Sequence, residues 1–295
     1  MTKVLIIGGT RFFGKKLVEQ LIRDGVDVTI ITRGQTRDSF GNSVKRLQAD
    51  RTDQAAMQHV LGSSTYDVVY DNICYTPQEA EAAVELFTGR TQKYIVTSSL
   101  SIYPFGGIAK IESDFDPYSY TLPEPYPTKI DYAEGKRLVE AVFCQKASFK
   151  VAAVRFPVVL GLDDYTRRLH FHVEHVAQGL PLGIPNLDAE MSFIRSDEAA
   201  DFLAWLGRSN LEGPVNATSN GVTSLGRILS LITEATGQQA HILTETDAAD
   251  RSPFGIPETW FMNTAKAEAA GFKFQRLDDW LPELIREISD LSPIM

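Results

Sequence analysis

A tyrosine and a lysine four residues apart are the side chains best placed to do chemistry. Tyr132 and Lys136 would lie on one face of a helix. A phenol has an ordinary pKa of about 10, and a nearby ammonium lowers that pKa by stabilising the phenolate. We therefore predict that Tyr132 gives or takes a proton, and that the charge of Lys136 lowers the pKa of Tyr132.

A serine lies at the end of the strand that should face this pair. The segment Thr97-Ser98-Ser99 follows a predicted strand at 93–97, and open α/β sheets bind ligands at the carboxyl ends of their strands. Ser99 is expected to orient the substrate oxygen during hydride transfer. The alternative interpretation is an exposed tyrosine–lysine pair beside ordinary strand-end serines.

A glycine-rich turn follows the first predicted strand and opens the first predicted helix. Such a turn can hold a pyrophosphate, because the helix start presents unpaired amides and the positive end of the helix dipole. A tight turn without a ligand would leave the same pattern. The candidate cofactor-binding residues of this turn are Gly8, Gly9, Thr10, Arg11, Phe12, Phe13 and Gly14.

The end of the second predicted strand bears on the choice of cofactor. An acid there would bind the ribose 2′-hydroxyl of NAD, but the chain has Thr32-Arg33-Gly34. Arg33, with Arg11 and Arg37, forms a cationic cluster suited to a 2′-phosphate, so NADP is preferred over NAD, although solvated loop arginines would also explain it. Asp50 is a candidate adenine contact or a turn aspartate. Lys136 is also expected to bind the nicotinamide ribose.

The elements that must position these residues follow an alternating pattern, typical of an α/β, Rossmann-type doubly wound parallel sheet with a smaller C-terminal substrate lobe. We predict a dinucleotide-binding domain at 1–156 and a substrate lobe at 157–295, of which about 192–218 packs back on the first domain. Predicted strands lie at 3–8, 26–31, 67–70, 93–97 and 150–156, and predicted helices at 12–24, 53–61, 78–87, 131–146, 166–178, 196–206, 225–236 and 278–291.

Composition limits the partners. The net charge of -9 opposes nonspecific binding to DNA, RNA or anionic membranes. Two cysteines and no apolar run of transmembrane length indicate a reducing, cytoplasmic location. His170, His172 and His175 spread over more than one helix face, so no metal site is expected. The charged run at 163–168 could border the substrate cleft or be a solvated helix start.

Together these motifs resemble the extended short-chain dehydrogenase/reductase superfamily, in its NAD-dependent epimerase/dehydratase branch. The resemblance implies Ser99, Tyr132 and Lys136 as the catalytic residues, a small-molecule substrate such as a sugar derivative, and a homodimer through helices 78–87 and 131–146. It rests on the segments 96–103, 132–136, 155–161, 192–201 and 215–225.

Two positions depart from the family pattern. Arg11 replaces the usual middle glycine of the turn, and Met191 stands where nucleotide-sugar enzymes usually have an arginine for the substrate diphosphate. This combination is similar to an atypical subgroup with plant members described as RNA-binding. We therefore expect an NAD(P)-dependent oxidoreductase or epimerase/dehydratase, with a cofactor-binding sensor as the alternative and an RNA-binding protein, opposed by the charge, as the third.

Overall fold

The computed structural model describes residues 1–244 and 246–291, so the predicted C-terminal lobe extends slightly beyond the described residues. Strands and helices alternate through the first half of the chain as predicted, except that the strands Asp27–Thr32 and Lys45–Gln48 follow one another without a helix between them. Its elements are β1 (Lys3–Ile7), α1 (Phe12–Arg23), β2 (Asp27–Thr32), β3 (Lys45–Gln48), α2 (Gln54–Leu61), β4 (Tyr66–Asp71), α3 (Pro77–Phe87), β5 (Thr91–Ser99), α4 (Tyr132–Lys146) and β6 (Lys150–Phe156).

The second half consists of helices and short strands. Its elements are β7 (Val158–Leu160), α5 (Arg168–Ala177), β8 (Pro181–Gly183), β9 (Glu190–Met191), β10 (Phe193–Arg195), α6 (Ser196–Arg208), β11 (Gly213–Asn216), β12 (Thr223–Ser224), α7 (Leu225–Thr236), β13 (His241–Leu243), α8 (Ala265–Ala269) and α9 (Leu277–Leu291). Among the described residues, no helix is both long and apolar enough to cross a membrane.

A parallel sheet organises the molecule. Its strand order is β11-β6-β5-β4-β1-β2-β3, and every neighbouring pair in it is parallel. The chain winds outward in one direction from β1 and in the other from β4, so the strand order reverses between these two strands. Ligands of doubly wound sheets bind at this reversal, beyond the carboxyl ends of the strands. The predicted α/β, doubly wound fold is confirmed.

Helices cover both faces of the sheet, because strands buried on both faces need apolar cover on each side. On one face α1 packs with α6, bringing Leu17, Val18 and Phe202 into a single core. On the other face α3 and α4 contribute Ala80, Val84, Val139 and Phe143. The later elements α6 and β11 thus share the core of the large sheet.

The remaining C-terminal elements form a third core, in which α5, α7 and α9 contribute Leu169, Ile228, Trp280 and Ile285. The strand β7 follows β6 directly in the chain but lies outside the large sheet, where it pairs in parallel with β10. The C-terminal elements are therefore joined to the end of β6, at the same edge of the sheet as Ser99.

Candidate functional site

A cavity of about 900 Å³ lies at the carboxyl edge of the sheet, between the sheet and the C-terminal elements. All of the predicted cofactor-binding and catalytic residues except Gly9 line this cavity. The predicted residues that line it are Gly8, Thr10, Arg11, Phe12, Phe13, Gly14, Arg33, Asp50, Ser99, Tyr132 and Lys136. The sheet thus brings together residues more than 120 positions apart in sequence.

The glycines of the turn are required by its geometry. Gly8 has a φ of +85°, and a Cβ there would lie 2.8 Å from Ile73 Cγ2. A Cβ on Gly14 would collide with the Gly8 carbonyl oxygen. Gly9 allows close packing, because a Cβ added at this position would lie 2.9 Å from Val18 Cγ2. The turn therefore brings bare backbone to the cavity wall, as close approach of a pyrophosphate requires.

The start of α1 offers its amides to the cavity. Arg11 is the N-cap residue, and no side chain caps the helix among the described residues. Phe12 follows with a φ of +51°, which is strained for a residue with a Cβ and turns the chain into the helix. The unpaired amides and this bare turn fit a pyrophosphate.

The side chain of Arg11 lies against Tyr165. Its side chain is exposed, and its guanidinium carbon lies 5.5 Å from the centre of the Tyr165 ring. Tyr165 also lines the cavity and packs edge-on against Phe12, with ring centres 6.3 Å apart. An arginine at the usual position of a middle glycine therefore fits because its guanidinium packs against the Tyr165 ring.

Arg33 and Asp50 line the far end of the cavity. Arg33 is exposed, and its carbonyl accepts a hydrogen bond from Gln48 Nε2 at 3.2 Å. One oxygen of Asp50 accepts from the Thr52 amide at 3.0 Å and the Thr52 hydroxyl at 2.7 Å. These bonds lower the pKa of Asp50 and give it the geometry of a turn aspartate. Arg37 does not line the cavity.

Ser99 and Tyr132 are positioned by the ends of two elements. Ser99 is the last residue of β5, and its Oγ accepts a hydrogen bond from the Ser101 amide at 3.1 Å. Tyr132 is the first residue of α4, which begins there because the Asp131 carboxylate accepts from the Glu134 amide at 2.8 Å. A strand end and a helix start thus present both hydroxyls to the cavity.

Lys136 lies one helical turn deeper and is 1% exposed. Its Nζ donates to the carbonyl oxygens of Cys74 and Thr97, both at 2.7 Å. Burial lowers the pKa of Lys136 to about 8. A buried amine with two fixed carbonyl partners holds the ends of β4 and β5 against α4.

The sequence predicted that Lys136 lowers the pKa of Tyr132, and the structure differs from this prediction. Although Tyr132 is 55% exposed, its pKa is raised, mainly by desolvation, while hydrogen bonding to Ser99 and the charge of Arg168 lower it. The Lys136 Nζ lies 5.7 Å from the centre of the Tyr132 ring, because its protons are directed at the two carbonyls. At this site the phenol is thus the stable form at neutral pH.

Sequence reasoning missed a buried network behind the serines. Glu140 and Arg155 are both fully buried and form an ion pair of 2.7 Å, and Glu140 accepts a hydrogen bond from Ser98. Arg155 also donates to the Tyr103 hydroxyl at 2.6 Å. A glutamate on the inner face of a predicted helix was the signal available. This network fixes the end of β5 from behind.

The sequence run at 163–168 does border the cavity. Tyr165, Thr166 and Arg168 line it, together with Met191 and Phe254 from the C-terminal elements. Among the described residues no group of three or more His, Cys, Asp or Glu side chains could hold a metal ion. The cavity is therefore lined by the glycine turn and Arg33 from the sheet domain, and by the segment at 165–168, Met191 and Phe254 from the C-terminal elements.

Comparison with known proteins places this architecture in a family. The model of the NAD dependent epimerase/dehydratase family matches residues 4–220. Among curated proteins the chain is similar to the chloroplast stem-loop binding protein of 41 kDa b of Arabidopsis thaliana, at 26% identity over 242 residues, which are 75% of this chain and 61% of that protein. The chain thus spans less than two thirds of that relative's length.

Solved structures share the fold. The UDP-glucose 4-epimerase of Thermus thermophilus, solved with NAD, has a TM-score of 0.71 at 19% identity, with 98% of each chain covered. The dTDP-glucose 4,6-dehydratase of Bacillus anthracis, also with NAD, has a TM-score of 0.75 at 13% identity, covering 97% of this chain and 96% of that one. Because the family model spans more than half of the residues, this chain belongs to the NAD dependent epimerase/dehydratase family.

Proposed function

We propose that this protein is an NAD(P)-dependent oxidoreductase or epimerase/dehydratase with a preference for NADP, in which Tyr132 is the acid/base. The observation that carries the proposal is that Ser99, Tyr132 and Lys136 line the same cavity as the glycine turn. A nicotinamide cofactor held there supplies or accepts hydride. Residues 1–156 would then provide the cofactor half of the site and 157–295 the substrate half.

Each side chain has a role that its surroundings support. Tyr132 lines the cavity with Ser99 and can donate its phenol proton to a substrate oxygen. Burial raises the pKa of Tyr132, whereas the Ser99 hydrogen bond and the Arg168 charge lower it and so favour proton release. Ser99 can orient that oxygen with its hydroxyl, since the Ser101 amide already holds the serine oxygen in place. Lys136 retains a third N–H beyond its two carbonyl bonds when it is charged, and this proton is available to a cofactor ribose.

The preference for NADP rests on charge. Arg33 follows β2 where NAD enzymes place an acid, and both Arg33 and Arg11 line the cavity. A guanidinium binds a phosphate with two parallel hydrogen bonds. Asp50, already engaged by Thr52, keeps one carboxylate oxygen for an adenine amino group.

A titration of the purified protein with NADPH, NADP, NADH and NAD, followed by its melting temperature, tests the proposal. A ligand that binds the native state raises the melting temperature by mass action, and we expect the larger shift with the phosphorylated pair. A response to NAD alone would instead favour an internal redox cycle of the epimerase type. A protein that none of the four stabilises would contradict the proposal.

Two other functions have some support. A cofactor-binding sensor is favoured by Arg11 in the glycine turn and by Met191 at the substrate end of the cavity, and reproducible turnover of any carbonyl, alcohol or sugar would exclude it. RNA binding is favoured by the name of the Arabidopsis relative and opposed by the net charge of -9. Salt-dependent RNA retention at physiological ionic strength would be evidence for it.

A further inference from the structure

The substrate half of the cavity has an apolar wall. Apolar residues that line it are Val158, Val159, Met191, Phe254, Ile256 and Trp260. Among the described residues that line the cavity, Arg168 is the charged side chain contributed by the C-terminal elements. Arg168 is therefore the cation that the C-terminal elements offer to an anionic group of a substrate.

Arg168 has hydrogen-bonding capacity to spare. Its Nη2 donates to the Val159 carbonyl at 3.1 Å. Its Nε is buried without a hydrogen-bond partner among the described residues, so a ligand would be bound through the terminal Nη1 and Nη2 groups. Its side chain is 30% exposed and lines the cavity. A guanidinium has five N–H donors, and the Val159 bond uses one of them while fixing the orientation of the group.

The neighbouring carboxylate holds Arg168 without saturating it. The closest approach of Asp164 Oδ2 to Arg168 Nε is 3.6 Å, which is too long for a hydrogen bond. Asp164 instead organises its own loop, because its Oδ1 accepts from the Thr166 amide at 2.9 Å and the Thr166 hydroxyl at 2.6 Å. The buried Asp164 carboxylate thus balances part of the Arg168 charge and leaves the terminal N–H groups for an anion.

A buried histidine fixes Arg168 relative to the apolar wall. His172 is fully buried, and its Nδ1 lies 2.8 Å from the Arg168 carbonyl oxygen, so Nδ1 must be the donor. Its Nε2 then accepts from the Ser252 hydroxyl at 2.7 Å. The Ser252 oxygen in turn accepts from the Phe254 amide at 3.1 Å. This chain of bonds ties the start of α5 to the segment that carries Phe254.

The same arginine acts on the proposed acid/base. Arg168 lowers the pKa of Tyr132 through its charge, so the guanidinium and the phenol are within electrostatic range in one cavity. An anion bound at Arg168 would place its parent molecule between the apolar wall and Tyr132. The neighbourhood thus combines an anion ligand, an apolar surface and a proton donor.

We propose that Arg168 determines substrate specificity by binding a single acidic group, a carboxylate or a phosphate monoester, on a compact substrate whose body packs against Met191 and Phe254. The reaction of such a substrate at Tyr132 rests on the proposed function. The binding of its acidic group by Arg168 does not. A compact acid fits this half of the cavity because it requires one cation beside an apolar wall. It would present its carbonyl or alcohol carbon to Tyr132.

A matched set of aldehydes tests the proposal. We would measure the binding of 4-carboxybenzaldehyde, 4-formylphenyl phosphate and the neutral methyl 4-formylbenzoate by calorimetry, with NADP present. The three share one aromatic body and differ in charge. We expect the wild-type protein to bind at least one acidic probe roughly tenfold more tightly than the ester, as a charge-assisted hydrogen bond would give. The tighter acid identifies the preferred group.

Substitutions test whether Arg168 causes the preference for acidic probes. Arg168→Gln should remove the preference for acids and leave binding of the ester unchanged, and Arg168→Lys should restore part of it. Arg167→Gln is the matched control, because Arg167 pairs with Glu174 and does not line the cavity; it should behave as wild type. Retention of the preference by Arg168→Gln, or failure of the wild type to bind either acid at millimolar concentration, would overturn the proposal.

A further variant separates this proposal from the proposed function. Tyr132→Phe should lose reduction of the acidic aldehyde by NADPH and keep the preference in binding. If the protein shows the Arg168-dependent preference but binds no dinucleotide, the specificity proposal holds and the proposed function fails. If it binds NADPH but does not distinguish acids from the ester, the reverse conclusion applies.

Discussion

The guanidinium carbon of Arg11 lies 5.5 Å from the centre of the Tyr165 ring, and this contact joins the glycine turn to the loop before α5. A cation over an aromatic face is stabilising by about 0.5–2 kcal/mol. Both residues line the cavity beside the turn that would hold the pyrophosphate. The contact thus fixes the Arg11 guanidinium at the cavity lining.

The Arg11–Tyr165 contact predicts an effect on cofactor affinity. Arg11→Ala should raise the Kd of NADPH by roughly tenfold, because a charge-assisted hydrogen bond to phosphate is lost. Tyr165→Phe should stay near the wild-type value, since it keeps the aromatic face. Quenching of protein fluorescence by NADPH measures both. Arg23→Ala, at the other end of α1, is the control; equal affinity of Arg11→Ala and wild type would show that Arg11 does not bind cofactor.

The choice between the two dinucleotides should depend on Arg33. Arg33→Ser is expected to weaken NADPH binding by roughly tenfold and to leave NADH binding unchanged, because only NADPH carries the 2′-phosphate. Parallel titrations with both cofactors measure the ratio. Arg37→Ser is the matched control, since Arg37 is exposed and lies outside the cavity lining. A parallel loss of both affinities would contradict a 2′-phosphate role.

Tyr132→Phe should abolish most turnover while sparing the fold. Loss of a general acid costs roughly 100-fold or more in kcat, whereas a residue with 55% exposure contributes little to the core. Steady-state kinetics on any identified substrate, with melting curves and NADPH titration, would separate the two effects. Tyr118→Phe, at a 56% exposed tyrosine outside the cavity lining, serves as control. Turnover within a few-fold of wild type would show that Tyr132 is not the acid.

The burial of Lys136 predicts a pH-dependent stability. Its pKa is about 8 in the folded protein and about 10.4 when unfolded, so between these values the unfolded chain binds more protons. The free energy of unfolding contributed by Lys136 therefore rises with pH from about 8 to 10.4, by at most about 1.4 kcal/mol per pH unit. An uncharged amine still has two N–H groups for the carbonyls of Cys74 and Thr97.

Comparison of wild type with Lys136→Met isolates this effect. Denaturant unfolding at several pH values should show a stability difference that grows in favour of the wild type as the pH rises through this range. Lys93, whose pKa burial also lowers to about 8, is present in both proteins and cancels. A difference that does not change with pH would mean that Lys136 keeps its ordinary pKa when folded.

The Glu140–Arg155 pair should be costly to break on one side. Arg155→Met leaves a fully buried carboxylate without its partner, which costs about 3–5 kcal/mol. The double variant Glu140→Leu with Arg155→Met should recover part of this loss, because it removes both charges. Lys150→Met, in an exposed pair with Glu212, should cost at most about 1 kcal/mol. Equal losses in the single and double variants would contradict this account.

The fold could be predicted from the sequence because its signals are local. Apolar periodicity located the helices and strands, and the predicted bounds of α1, α4 and β6 lie within a residue or so of those observed. The glycines of the turn were recognisable because backbone conformation and close approach restrict those positions to glycine. Tyr132 and Lys136 were recognisable because their spacing matches one helical turn.

Other features depend on residues that are distant in sequence. The direction of the Arg11 side chain is set by Tyr165, the pKa of Tyr132 by its burial and by Arg168, and the hydrogen bonds of Lys136 by two strand ends. Desolvation and Coulomb energy depend on distances in space. The sequence by itself determined the family, the sheet and the candidate acid/base, because these follow from local pattern. Only the tertiary structure decided which charges act on that acid/base and that Arg168 lines the same cavity.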